Sequence, residues 1–200
     1  MKLFILIFLF IAIFPLQAVL IDFENLARNT LVTNQYQASG VIFSRNNTTD
    51  YSGYIGDVTI PDFGVYDFGG YKNALCYGTV GLQLNLTFVL ANGSNAFTNA
   101  VSFRIGDGDS ATESFRISLY NPTGTLLHAQ EYTTTSGSVN GGVSVSYSFA
   151  NIHRVEILGI GSGSGGSIDN LSFNAVQAVP EINSLLAIVM AIGILIFIKK

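Results

Sequence analysis

Three acidic side chains, near the two ends of the central region of the chain, have the chemistry to bind a metal ion. Asp22 and Glu24 alternate with the apolar residues Ile21 and Phe23, so both carboxylates are expected on one face of a first strand. Asp169 lies in the last segment of similar character. Carboxylate oxygens are preferred ligands of Ca²⁺, and backbone carbonyls can complete its coordination. We therefore predict one structural calcium ion between the first and last strands, with solvated carboxylates as the alternative.

The chain contains a single cysteine, Cys76, so no disulfide can form within it. Its neighbours are apolar, which predicts a buried, inert thiol. A calcium ion joining the two chain ends would close a long loop and stabilise a domain without disulfides.

A second acidic cluster surrounds two glycines in the middle of the chain. Asp107, Asp109 and Glu113 follow or flank Gly106 and Gly108. The spacing lacks the full pattern of an EF-hand calcium loop. We expect a plain turn here, and a loop metal site is the alternative.

Tyrosines in the first half of the chain are candidates for sugar binding. Tyr51, Tyr54 and Tyr66 stand among Gly, Asn and Asp residues, with Tyr36 and Tyr71 nearby. Loop tyrosines can stack on sugar rings and hydrogen-bond through their hydroxyls. The alternative is that they belong to the core, and the chain has no tryptophan.

Catalytic motifs are scarce in this sequence. The only histidines are His128 and His153. Neither accompanies a G-x-S-x-G nucleophile motif, and their separation does not suit a zinc site. A glycosidase pair of carboxylates is formed in space and stays open as an alternative. We predict that the protein is not an enzyme.

Short β-type segments, separated by Gly, Asn, Asp and Ser clusters, must position all of these groups. Apolar and polar residues alternate at Phe115, Ile117 and Leu119, as expected for a strand with one solvent-exposed face. The turn residues Asn121-Pro122-Thr123-Gly124 predict a hairpin. Strands are predicted at 19–24, 40–44, 55–60, 64–69, 82–90, 100–106, 113–120, 125–132, 143–149, 152–158 and 167–175. The pattern predicts an all-β fold, a single antiparallel β-sandwich or jelly roll.

Composition narrows the class of protein. Charged residues are only 11% of the chain and the formal net charge is −4, so electrostatic capture of nucleic acid is not expected. The high Gly, Ser, Thr and Asn content is typical of an extracellular β-domain.

Both ends of the chain are apolar. Residues 1–18 have a lysine, an apolar stretch and Ala18 at the end, which predicts a signal peptide cleaved after Ala18. The segment 179–200 contains the apolar run 185–198, followed by Lys199 and Lys200. Its length is marginal for a membrane span, and the lysines would stay cytoplasmic. A single domain is predicted between the two ends, at 19–178.

The C-terminal segment resembles the PEP-CTERM sorting signal. Val179-Pro180-Glu181 matches its motif, 185–198 its hydrophobic helix, and Lys199-Lys200 its basic cluster. The resemblance implies export by a polysaccharide-producing bacterium and an exosortase-like membrane protease as a partner. It also implies anchoring in the inner membrane before processing, and then a place at the cell surface or in the extracellular matrix.

The body is similar to a β-sandwich domain common in PEP-CTERM proteins. Segments 21–26, 33–36, 40–44, 118–124 and 168–173 carry the similarity. That domain in turn resembles calcium-containing, carbohydrate-binding jelly rolls, which supports the predicted calcium ion and makes exopolysaccharide a candidate partner.

These observations together predict a non-catalytic exported protein of the cell surface or extracellular matrix. The first alternative is a carbohydrate-binding module for exopolysaccharide, and the second is a secreted hydrolase.

Overall fold

The computed structural model describes residues 17–27, 30–47, 58–59, 74–76, 82–106, 112–134, 142–160 and 166–180. The predicted all-β class is confirmed, since these residues form thirteen strands and one turn of 3₁₀ helix at Gln37–Ser39. The strands are β1 Ala18–Ile21, β2 Leu31–Val32, β3 Val41–Asn47, β4 Val58–Thr59, β5 Leu75–Cys76, β6 Leu82–Phe88, β7 Ala96–Gly106, β8 Ser114–Tyr120, β9 Leu126–Thr133, β10 Val143–Ile152, β11 Arg154–Gly159, β12 Ser167–Asn174 and β13 Gln177–Ala178.

The described strands form two antiparallel sheets, as expected for a β-sandwich. One has eight strands, in the order β10-β7-β12-β5-β4-β2, with β1 added to β12 and β13 to β7. The other has five strands, in the order β3-β6-β11-β8-β9. The first and last long strands, β1 and β12, are therefore neighbours.

Alternating side chains fill the space between the sheets. Phe115, Ile117 and Leu119 of β8 are buried, as the sequence predicts. From the other sheet, Val145 and Tyr147 of β10 are buried while the serines between them are exposed. One face of each sheet therefore forms the core, and the other is left for polar residues.

The predicted hairpin between β8 and β9 is confirmed. The Asn121 side-chain oxygen accepts hydrogen bonds from the backbone N–H groups of Thr123, at 3.0 Å, and Thr125, at 2.8 Å. Gly124 has a φ of 80°, a conformation that glycine adopts without steric penalty.

Some predicted strand boundaries were wrong. The first strand ends at Ile21 rather than at residue 24, because Phe23 has a φ of 60° and so leaves the extended conformation. β7 begins at Ala96, four residues before the predicted start. The two-residue strands β2, β5 and β13 were not predicted. The predicted strand at 64–69 lies outside the described residues.

Both apolar ends of the chain lie largely outside the described residues, so the predicted signal peptide and C-terminal hydrophobic helix are not tested by the structure. Of the helical residues that the structure does describe, none forms a helix long and apolar enough to cross a membrane.

Candidate functional site

The three predicted calcium ligands lie where β1 and β5 meet the same edge of β12. β5 pairs with Ser167 and Ile168 at the start of β12, and β1 pairs with the stretch from Leu171 to Asn174. Asp169 lies in the gap between these two partners. Asp22 directly follows β1, whose last residue, Ile21, is paired with Leu171.

A β-bulge shapes the surroundings of Asp169. The pairing of β12 with β7 shifts register between Asp169 and Ser172, and Asn170 has a φ of 50°. The Asn170 backbone N–H donates a hydrogen bond to Asp169 Oδ1 at 2.6 Å, and its side-chain amide lies 3.4 Å from Oδ2. The bulge therefore places an amide donor against each oxygen of the carboxyl group.

Burial dominates the electrostatics of this carboxyl group. Asp169 is fully buried, and its pKa is raised from 3.8 to about 7, chiefly by desolvation. The hydrogen bond from Asn170 and the charge of Arg104, opposite Asp169 on β7, lower the pKa, while the charges of Glu24 and Asp22 raise it further. The structure thus brings the three predicted carboxylates within electrostatic range of one another.

The geometry of the two other carboxylates differs from the prediction. Asp22 and Glu24 do not share a face of a regular strand, because the chain turns at Phe23. Asp22 Oδ1 instead accepts a hydrogen bond from the Glu24 backbone N–H at 3.2 Å. Within the described part of the chain, no group of three or more His, Cys, Asp or Glu side chains is arranged to hold a metal ion.

The other sequence-predicted sites are described only in part. Tyr51, Tyr54 and Tyr66, the tyrosines singled out for sugar binding, lie outside the described residues, as do Asp107 and Asp109. Tyr71 also lies outside.

Two related residues are described: Tyr36, which is near the predicted sugar-binding tyrosines in the sequence, and Glu113, a member of the second acidic cluster. Tyr36 is a core residue that packs edge-on against Phe23 and Phe43 and donates a hydrogen bond to Asn25 Oδ1 at 2.6 Å. Glu113 is buried beside β8, and its backbone N–H donates to Thr134 Oγ1 at 2.9 Å.

The predicted sorting motif is visible only at its start. Val179 follows β13, and its backbone N–H donates a hydrogen bond to the Asn95 carbonyl at 3.3 Å. Pro180 is the last described residue, and Glu181, Lys199 and Lys200 lie outside.

The histidines of the chain pack within the sandwich or along its edge. The His128 ring stacks on Phe149, with ring centroids 5.2 Å apart, and His153 Nδ1 lies 2.6 Å from the Ala96 carbonyl oxygen. Neither contact involves a serine or a carboxylate.

The outer face of the five-stranded sheet carries a polar site that the sequence analysis missed. Val155 and Ile157 of β11 point into the core, so Arg154 and Glu156 point outward. On β8 the outward positions alternate in the same way with the buried ones. We call this surface the polar face, and its members are Gln83, Asn85, Arg116, Ser118, Tyr120, Glu131, Arg154 and Glu156.

The centre of the polar face is a three-residue cluster. An Arg154 guanidinium nitrogen lies 2.8 Å from Glu156 Oε1, and the guanidinium carbon lies 4.6 Å from the centre of the Tyr120 ring. The Tyr120 pKa is raised, first by burial and then by the hydrogen bond to Glu156 and the charge of Glu156; Ser118 and Arg154 act in the opposite direction. The phenol therefore stays protonated and can donate a hydrogen bond at neutral pH.

Amides and a second ion pair surround this cluster. Arg116 binds Glu131 Oε1 through two nitrogens, at 3.1 and 2.8 Å. The Gln83 amide donates to Asn85 Oδ1 at 2.6 Å. Asn85 and Ser118 are only 5% and 8% exposed, so the two small polar residues are buried at the base of the cluster.

A second polar feature lies on the outer face of the eight-stranded sheet. A cavity of about 410 Å³ opens there, lined by Ser102, Phe103, Arg104, Ser144, Val145, Ser146 and Asn170. The small serine side chains leave this space beside the Asp169 bulge.

Comparison with known proteins establishes the fold alone. No protein-family model matches this sequence, and no curated protein matches it. Among solved structures, the chain is similar to the K2 cleaved adhesin domain of Lys-gingipain, with 10% identity, a TM-score of 0.50, and coverage of 78% of this chain and 99% of that one. The PEP-CTERM resemblance therefore stays a prediction from the sequence segments that carry it.

Carbohydrate-binding modules also appear among the similar structures. A family 6 carbohydrate-binding module has 18% identity and a TM-score of 0.38, with coverage of 78% of this chain and 93% of that chain. The xylan-binding module CBM15 has 10% identity and a TM-score of 0.41, with coverage of 82% and 99%.

Proposed function

We propose that this protein is a non-catalytic glycan-binding domain whose polar face holds the sugar. The observation that carries the proposal is the central cluster of Tyr120, Arg154 and Glu156, set on a rigid sheet. This is the first alternative from the sequence analysis.

The chemistry of the polar face suits a sugar. Each sugar hydroxyl is both a donor and an acceptor, so a glycan site needs both kinds of group side by side. Arg154 offers N–H donors beside its ion pair with Glu156, and the carboxylate of Glu156 offers acceptors. Half-buried Tyr120 adds apolar ring surface for the C–H groups of a sugar.

The similar structures are consistent with this proposal. They include modules named for carbohydrate binding and a domain named as an adhesin. At these identities they support the fold, and the argument for the site rests on the polar face itself. Tyr51, Tyr54 and Tyr66 stay predicted contributors to sugar binding.

Replacing Tyr120 should weaken glycan binding. We expect Tyr120→Ala to lower affinity by about tenfold, because ring contact is lost together with the hydrogen bond that holds Glu156 in the cluster. Glycan-array screening of the full-length chain, followed by titration calorimetry with the best ligand, measures this loss.

Two matched variants make the result specific. Ser144→Ala, on the exposed outer face of the opposite sheet, should bind like the wild type. Tyr51→Ala tests the tyrosines predicted from the sequence. An unchanged affinity in Tyr120→Ala with a loss in Tyr51→Ala would move the site away from the polar face.

We also propose that the protein acts outside the cytoplasm of an exopolysaccharide-producing bacterium, at the cell surface or in the matrix. The supporting observations are the apolar ends and the Val179-Pro180-Glu181 motif, with an exosortase-like protease and the inner membrane as partners during sorting. Mass spectrometry of the released protein tests this, and an intact Lys199-Lys200 peptide there would contradict cleavage.

A structural calcium ion is a second proposal. Asp22, Glu24 and Asp169 have the right oxygen chemistry, and an ion would offset both the burial of the Asp169 carboxylate, the main cause of its raised pKa, and the smaller repulsion from Glu24 and Asp22. Their side chains are not grouped as a metal cluster, so backbone carbonyls would have to supply further ligands.

Calcium should raise the melting temperature if this proposal is correct. A ligand that binds only the folded state stabilises it by about 2.7 kcal/mol at a hundredfold excess over Kd. Thermal unfolding in EDTA and in millimolar Ca²⁺ measures the effect, and Glu24→Gln should reduce it. Equal melting temperatures in the two buffers would rule out the ion.

A further inference from the structure

We infer that the polar face selects neutral polysaccharides and rejects acidic ones. This inference rests on the proposed glycan-binding function and specifies its ligand class. It follows from the way in which the charges of the polar face are paired.

Each arginine of the polar face already has a carboxylate partner within the protein. Arg154 lies 2.8 Å from Glu156, and Arg116 lies 2.8 Å from Glu131. The four groups sum to zero charge. An acidic sugar would therefore meet cations whose charge is already balanced by hydrogen-bonded carboxylates.

Displacing Glu156 from Arg154 would be unfavourable. The Glu156 side chain is 17% exposed, against 38% for Arg154, and Glu156 also interacts with Tyr120. It is thus held in the sheet face and cannot move freely into water. A sugar carboxylate at Arg154 would lie beside a second carboxylate, and like charges at such short range repel each other.

The ion pair between Arg116 and Glu131 holds its side chains less firmly. The Arg116 and Glu131 side chains are 48% and 59% exposed, so water screens both charges and either side chain can move. Glu131 lies on β9, the edge strand of the sheet. Selectivity should therefore depend on Glu156, and Glu131 serves as the matched control.

The overall charge of the chain also favours neutral over acidic glycans. The chain has a net charge of −4, which disfavours the approach of a polyanion before contact is made. A neutral glycan avoids this repulsion. It can bond to guanidinium N–H groups and carboxylate lone pairs that the ion pairs leave available, without separating either pair.

The test compares neutral with acidic polysaccharides on the full-length chain. The neutral probes are β-glucan, galactan and xylan, and the acidic probes are polygalacturonate and alginate. We expect the best neutral probe to bind at least about tenfold more tightly than either acidic one. Its affinity should barely change between about 50 mM and about 500 mM NaCl, since no net ion pairing forms.

Glu156→Gln should reverse part of this selectivity. The substitution keeps the shape of the side chain but leaves the Arg154 charge without a compensating carboxylate. Affinity for the acidic probes should rise about tenfold at low salt and fall again at high salt. Glu131→Gln should leave the ratio of neutral to acidic affinity nearly unchanged.

The possible outcomes separate the two proposals. If the wild type binds acidic probes as tightly as neutral ones, the selectivity is wrong and glycan binding stands. If it binds none of the five probes, both proposals are overturned. If Glu156→Gln does not gain affinity for acidic probes while Glu131→Gln does, the selecting residue has been assigned wrongly.

Discussion

Replacing Phe173 by alanine should destabilise the protein by about 3–5 kcal/mol, which is the usual range for a buried phenylalanine. Phe173 on β12 is 2% exposed, and its ring lies 5.1 Å from that of fully buried Phe88 on β6. The pair joins the two sheets, so truncation leaves a cavity at their interface. The melting temperature should fall by roughly 10 °C, as measured by circular dichroism.

Leu126 provides the comparison for this experiment. It is a large apolar residue on β9 but is 52% exposed. Leu126→Ala should change the free energy of unfolding by less than about 0.5 kcal/mol. Equal losses in the two variants would mean that the Phe88–Phe173 contact does not hold the sheets together.

The periodicity of the sequence was enough to predict the two-layer β architecture. β8 alternates apolar and polar residues without interruption, and its turn residues Asn121 and Gly124 adopt the expected conformations. Both signals depend only on residues close together in the chain, so they can be recognised from one sequence. The unpredicted two-residue strands β2, β5 and β13 lack such a signal because so short a segment shows no period and is fixed by its neighbours.

The proximity of Asp22, Glu24 and Asp169 was predicted from the sequence, but the geometry of their side chains was not. Proximity followed from the pairing of the first and last strands. The turn at Phe23 and the bulge at Asn170 depend on positive φ values at residues other than glycine, which are uncommon. Composition and spacing do not reveal such conformations, so the detailed arrangement of Asp22 and Glu24 could not be predicted from the sequence.

The polar face was missed for a different reason. Alternation along β8 already implied that Arg116, Ser118 and Tyr120 face away from the core. What the sequence could not supply was the register that places Tyr120 opposite Arg154 and Ser118 opposite Glu156. That register is set between strands far apart in the chain, and no local pattern encodes it.

Stability should fall as pH rises through the range in which Asp169 titrates. Its pKa is raised from 3.8 to about 7 by burial, with Glu24 and Asp22 adding to the rise and the Asn170 hydrogen bond and Arg104 opposing it. Between these two pH values the folded state keeps a proton that the unfolded chain releases, so the slope of stability against pH is negative. The effect should be complete above about pH 7 and amount to at most roughly 4 kcal/mol, since one pKa unit corresponds to about 1.4 kcal/mol.

Asp169→Asn isolates this contribution, because the amide keeps the shape of the carboxyl group and does not titrate. Urea unfolding in EDTA at about pH 5 and about pH 8 compares the two proteins. The variant should lose much less stability than the wild type over this interval and should be the more stable of the two at the higher pH. The two proteins differ only at residue 169, so the difference between their slopes measures the titration of Asp169 together with its coupling to Glu24 and Asp22. A wild type that gains stability relative to the variant as pH rises would require an ionised Asp169 in the folded state, held by interactions stronger than its desolvation.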